Sequence, residues 1–155
     1  QSDAGKALSQ LAAFAGDGVE TRSVLFEDAD EYAREAAAAL QVGEDSSWVS
    51  KVTGRISSLV TVRRTDAEPD MTDPLNVLAN FEENVQQRDL AEATIIAKSM
   101  PNPSAAEGLE PWIAAAERRL NAETALETLD SLAIERLAAA KAETARRAGN
   151  NGEGN

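Results

Sequence analysis

Residues 73–100, DPLNVLANFEENVQQRDLAEATIIAKSM, decide the fold class. Asp73-Pro74 is a helix start, with Asp as N-cap and Pro at the first helical position. Over 74–87, Leu75, Leu78, Phe81 and Val85 recur along one stripe, with Glu82 beside Phe81. A tight turn at Gln87-Arg88-Asp89 leads into 89–100, where Leu90, Ala93, Ala97 and Met100 share a face. Two antiparallel amphipathic helices joined by a short turn form an αα-hairpin. No second copy of this hairpin follows, so the sequence holds no repeat array.

Working outward, the same 3–4 spacing recurs. Segment 4–15 reads as a short helix with Leu8, Leu11 and Ala15 on one face, stopped by Gly16-Asp17-Gly18. Thr21 caps a turn carrying Val24 and Leu25. Residues 28–42 form a second helix through Ala29, Ala33, Ala36 and Leu40, its early acids Asp28, Asp30 and Glu31 favouring the N-terminal dipole. Ser46 or Ser47 caps a helix at 47–60. An acidic linker occupies 65–74. After Pro101-Asn102-Pro103, a long helix starts at Trp112 and runs to about 147, with the stripe Ile113, Ala116, Leu120, then Leu126, Leu129, Ala133, Leu137. GNNGEGN reads as a disordered tail, so 138–155 is helix end and tail. The expectation is an all-α helical bundle of five or six helices, with an αα-hairpin and a long C-terminal helix.

Composition agrees. Of 155 residues, 30 are alanine, and only 31 are Leu, Ile, Val or Phe. Such a chain favours thin, close-packed helices. There is no Cys and no His, which removes disulfides, thiol nucleophiles and the commonest general base. Phosphate-loop, nucleophile-elbow and dinucleotide motifs are missing. These features point to a non-enzymatic binding or scaffolding module with no cofactor and no metal.

Charge is unevenly spread around a net −12. Residues 46–64 hold no acid and four bases, Lys51, Arg55, Arg63 and Arg64. On a wheel at about 100° per residue, Trp48, Val49, Val52, Ile56, Leu59 and Val60 fall within about 120°. Lys51 and Arg55 lie on one shoulder, and Ser and Thr fill the other side. Two readings follow. The face packs in a bundle core, or it enters an anionic membrane surface with Lys and Arg stems reaching phosphates. Four bases contribute on the order of 4 kcal/mol near anionic lipid. The acidic remainder opposes nucleic-acid binding. Trp112, after Pro111, reads as a core anchor or a docking residue. The second half of the long helix leaves Leu126, Leu129, Leu132 and Leu137 to be covered, and a second copy is the simplest cover.

The order of these stretches carries a resemblance. GVETRSVLFEDADEYAREA, SWVSKVTGRISSLVTVRRT, an acidic linker, LNVLANFEENVQQRDLAEATIIAKSMP and PWIAAAERRLNAETALETL together resemble the C-terminal domain of mitofilin in its bacterial form, over about residues 10–137. The resemblance implies a membrane-organising scaffold at the inner membrane, facing the periplasm or intermembrane side and anchored by an upstream helix. It implies lipid contact by Trp48, Lys51, Val52, Arg55, Ile56 and Leu59, with Arg63 and Arg64 extending the positive end. It also implies self-association and docking of other membrane-organising subunits. Phe81, Val85, Trp112, Leu126, Leu129, Leu132 and Leu137 are the candidate interface residues. An Ala-rich helical organisation is also similar to that of a heme-pathway membrane protein family. A soluble tetratricopeptide-like adaptor, with 47–60 in its core, is the competing reading.

Overall fold

Side-chain oxygens set where the helices begin. In the computed structural model, residues 2–40 and 70–150 are described, with side chains through Ala148. Ser2 caps α1 (Asp3–Phe14), its Oγ accepting from Gly5 N at 3.3 Å. Thr21 caps α2 (Arg22–Ala39), accepting from Val24 N at 3.3 Å. Asp73 caps α3 (Pro74–Gln86) and Asp89 caps α4 (Leu90–Lys98). α5 spans Pro103–Asn150. Among the described residues every regular element is an α-helix, so the chain is all-α. The expected helix at 47–60 and half of the acidic linker lie outside the described residues, as does the tail beyond Asn150, whereas Gly149 and Asn150, expected in the disordered tail, belong to α5.

The helices form two units. The first comprises residues 20–120. Its core takes Leu25, Ala29, Ala33 and Ala36 from α2, and Val77, Leu78 and Phe81 from α3. Leu90, Ala93 and Ala97 come from α4, and Ala105, Leu109, Trp112 and Ala116 from α5. The hairpin forms where the sequence reads it, but on α3 Val77, fully buried, takes the core position expected of Leu75, which is half-buried. Its turn holds Arg88 at φ 60, a left-handed conformation unusual for a residue with a Cβ. The Arg88 guanidinium lies 5.4 Å from the Phe26 ring centroid, a cation–π contact that ties the turn to α2.

Three further sequence expectations are corrected in this unit. The helix expected at 28–42 starts at Arg22, because the Thr21 cap initiates it directly. Asp28, Asp30 and Glu31 therefore lie beyond the first turn, where the helix dipole no longer favours them. The long helix starts nine residues before Trp112. Asn102 Oδ1 accepts from Ala105 N at 3.0 Å, and Pro103 fills the first helical position. Pro111 is then inside α5, exposed. Ala105, Leu109, Trp112 and Ala116 form one buried stripe across it. Burying Leu109 and Trp112 supplies about 1.5–3 kcal/mol each, enough to offset the roughly 3 kcal/mol that an internal proline costs.

The second unit comprises residues 1–19 and 121–155. Its buried residues are Ala7 of α1, with Ala122 and Ala125 of α5. The face expected on α1, Leu8-Leu11-Ala15, is rotated. Leu8 is 57% exposed, whereas Ala4, Ala7, Leu11 and Phe14 are sheltered. Alanine at the contact lets helix backbones approach more closely than leucine would. Gly18, at φ 71, closes the turn after α1 by donating its N–H to Phe14 O at 2.7 Å.

Candidate self-association surface on the C-terminal helix

The expected interface residues separate into two groups. Phe81, Val85 and Trp112 are core residues, 0%, 7% and 1% exposed, so their side chains face the inside of the unit. The Trp112 ring meets Phe81 edge-to-face at 4.8 Å and 88°. Its Nε1 donates to Leu25 O at 2.8 Å, so both the ring and its polar edge are satisfied inside the unit. Amphipathic spacing marks these three positions as apolar stripe, and a core stripe has the same period as a docking stripe.

The leucines of the second unit behave differently. Leu126 is 56% exposed and Leu137 66%. Leu129 and Leu132 are half-buried. Taking Ala122 as the origin of a wheel at about 100° per residue, Ala125, Leu129 and Leu132 cluster between about 280° and 340°. This is the sheltered arc of the helix. Leu126 and Leu137 lie at about 40° and 60°, and Ile134 at about 120°. Ile134, 60% exposed, was not among the sequence-derived candidates. The Leu126-Leu129-Ala133-Leu137 stripe passes it by, and only the burial of Ala122 and Ala125 shows which arc is already used.

From Ala133 to Ala148 every α5 residue is exposed. That is about 24 Å of helix at 1.5 Å per residue. This stretch extends a helix already nucleated by the packed part of α5, so it needs no new nucleus, but it gains no stability from burial. Local support comes from an ion pair between Glu143 and Arg147 one turn apart. Thr128 and Thr144 hydroxyls donate to the carbonyls of Thr124 and Ala140, each at 2.9 Å.

The first unit carries a groove of about 560 Å³ between α4 and α5. Ala97, Lys98, Ala106, Glu110, Ile113 and Glu117 line it, among others. Lys98 Nζ reaches Glu117 Oε1 at 2.6 Å across it. Nearby in the unit, Glu82 is half-buried, and desolvation with the Asp30 charge holds its carboxyl above the usual range. Among the described residues no group of acids is arranged to hold a metal ion. Among them, too, no helix is long and apolar enough to cross a membrane. The lipid candidates Trp48, Lys51, Val52, Arg55, Ile56, Leu59, Arg63 and Arg64 lie outside the described residues.

No family model matches the chain. No solved structure matches it either. Over 130 residues, 82% of its length, the chain is 33% identical to the probable magnetosome protein Mms36 of Magnetospirillum gryphiswaldense. It spans 36% of that protein's length.

Proposed function

We propose that the chain is a non-enzymatic scaffold domain of a membrane-organising protein, in which copies associate through the exposed part of α5 and the basic segment 46–64 meets anionic lipid. The observation that carries the association is the exposure of Leu126, Ile134 and Leu137 on a helix whose last 16 described side chains are all solvent-facing. A bare helix with apolar side chains at regular spacing gains by covering them. The lipid part is supported by the amphipathic pattern of 47–60 and the mitofilin resemblance. The relative's name, a magnetosome protein, supports a role tied to a cellular structure.

Co-sedimentation with anionic vesicles tests the lipid part. The wild type pellets, and a Trp48→Ser, Arg55→Glu, Ile56→Ser variant of equal helicity stays in the supernatant. If neither pellets, the lipid contact is lost from the proposal. The groove between α4 and α5 favours a second reading, a helical adaptor. Its apolar floor of Ala97, Ala106 and Ile113, with Glu107, Glu110 and Glu117 beside it, fits a basic amphipathic peptide segment. Wild type that is monomeric and leaves vesicles in solution, yet binds such a peptide, selects that reading.

A further inference from the structure

We propose that two copies of the chain pair antiparallel along α5, reversed about the midpoint between Glu135 and Arg136. This rests on the reading that copies meet through α5, and adds the orientation and the register. Glu127, Asp130, Ile134, Leu137, Lys141 and Thr144 are all exposed. They recur at spacings of 3, 4, 3, 4 and 3 residues. That is the 3-4 spacing of a coiled-coil seam, about 26 Å long, with two of its six positions apolar. Its centre is apolar, its N-terminal end acidic and its C-terminal end basic.

Reversal about 135/136 makes this seam self-complementary. Ile134 of one copy faces Leu137 of the other, twice by symmetry. Asp130 faces Lys141, again twice, and Glu127 faces Thr144. A parallel pair in register would place Glu127 on Glu127, Asp130 on Asp130 and Lys141 on Lys141, with like charges opposed at three levels.

The wider helix has the same polarity. Residues 123–135 hold Glu123, Glu127, Asp130 and Glu135 and no base. Residues 136–147 hold Arg136, Lys141, Arg146 and Arg147, against Glu143 alone. Opposite fields meet along the whole overlap only when the copies run in opposite directions. The sheltered arc of Ala122 and Ala125 is on another side of the helix, so this seam does not compete with the unit's own packing. The apolar centre is short, so the pairing is reversible and weakens with salt.

Sedimentation equilibrium of the full chain, with far-ultraviolet circular dichroism as the folding control, tests this. The wild type is expected to be a reversible dimer. Asp130→Lys and Lys141→Asp each raise the dissociation constant about tenfold, by replacing two attractions with two repulsions. The Asp130→Lys/Lys141→Asp double variant returns it close to wild type, because the swapped charges again meet in opposite pairs. Ile134→Asp gives monomer with unchanged helicity. If Ile134→Asp is monomeric but the double variant fails to recover, the orientation is overturned while the α5 interface stands. If the dimer survives Ile134→Asp, or the wild type is monomeric throughout, the α5 reading itself is overturned along with it.

Discussion

The indole Nε1 of Trp112 donates to the backbone carbonyl of Leu25 at 2.8 Å, joining α5 to α2 across 87 residues of sequence. Both residues are buried, Leu25 at 2% exposure and Trp112 at 1%. The bond fixes the rotation of α5 on the unit, because only one face of the helix can present that nitrogen. Trp112→Phe removes the donor and keeps most of the ring. It should cost about 1–3 kcal/mol, the penalty of a lost buried hydrogen bond and a small void. Trp112→Ala should cost about 3–5 kcal/mol. Urea titrations followed by circular dichroism give both values, and a Trp112→Phe cost near zero would remove the bond from the stability argument.

Gly108 faces Ala36 closely. A Cβ built on Gly108 would stand 3.6 Å from Ala36 N and 3.7 Å from Ala36 Cα, ordinary contact distances. Gly108→Ala therefore fits, and should stabilise by about 0.5–1 kcal/mol through its higher helix propensity. Gly108→Leu drives further atoms into the α2 backbone and should destabilise by about 1–3 kcal/mol. Opposite signs in the two melting shifts are the expected result. Loss of stability in Gly108→Ala would show the helices to be closer than this.

Glu82 gives the first unit a pH dependence. Burial first, and the Asp30 charge second, raise its pKa above that of the unfolded chain. The folded state thus binds this proton more tightly. Its stabilising contribution is complete below the unfolded pKa and is lost as pH rises through the folded one. Glu82→Gln should raise the melting temperature at pH 7 and flatten its rise on mild acidification. Asp30→Asn should act in the same direction and more weakly. An unchanged pH profile in Glu82→Gln would assign the acid dependence to other carboxylates.

Much of the fold was legible because the signals are local. Asp73 announces a helix start by side-chain chemistry within two residues of the chain, whereas Thr21 reads as the cap of a short turn and Asp89 as part of one, although both begin helices. The Gln87-Arg88-Asp89 turn and the Leu90-Ala93-Ala97 face follow from the same short range. What was not legible depends on partners distant in sequence. Pro111 next to Trp112 reads as a start signal, and only the core beneath Ala105 and Leu109 carries the helix through it. Phe81, Val85 and Leu137 all sit at apolar periods, yet two are core and one is bare. Periodicity marks an apolar face without saying what covers it. Ile134 shows the converse, since its seam appears once the sheltered arc of α5 is known.

Pro111 lacks an N–H, so the carbonyl of Glu107, four residues earlier, has no donor from that position of α5. Pro111 is exposed, so its ring contributes little burial to offset this. Pro111→Ala restores the donor and raises helix propensity at a site with no packing to disturb. It should stabilise by about 1–3 kcal/mol, the upper end being the full cost of an internal proline. Amide hydrogen exchange around 107–115 should slow in parallel with the gain in melting temperature. A destabilised Pro111→Ala variant would mean that α5 must bend at this point for Leu109 and Trp112 to reach the core together.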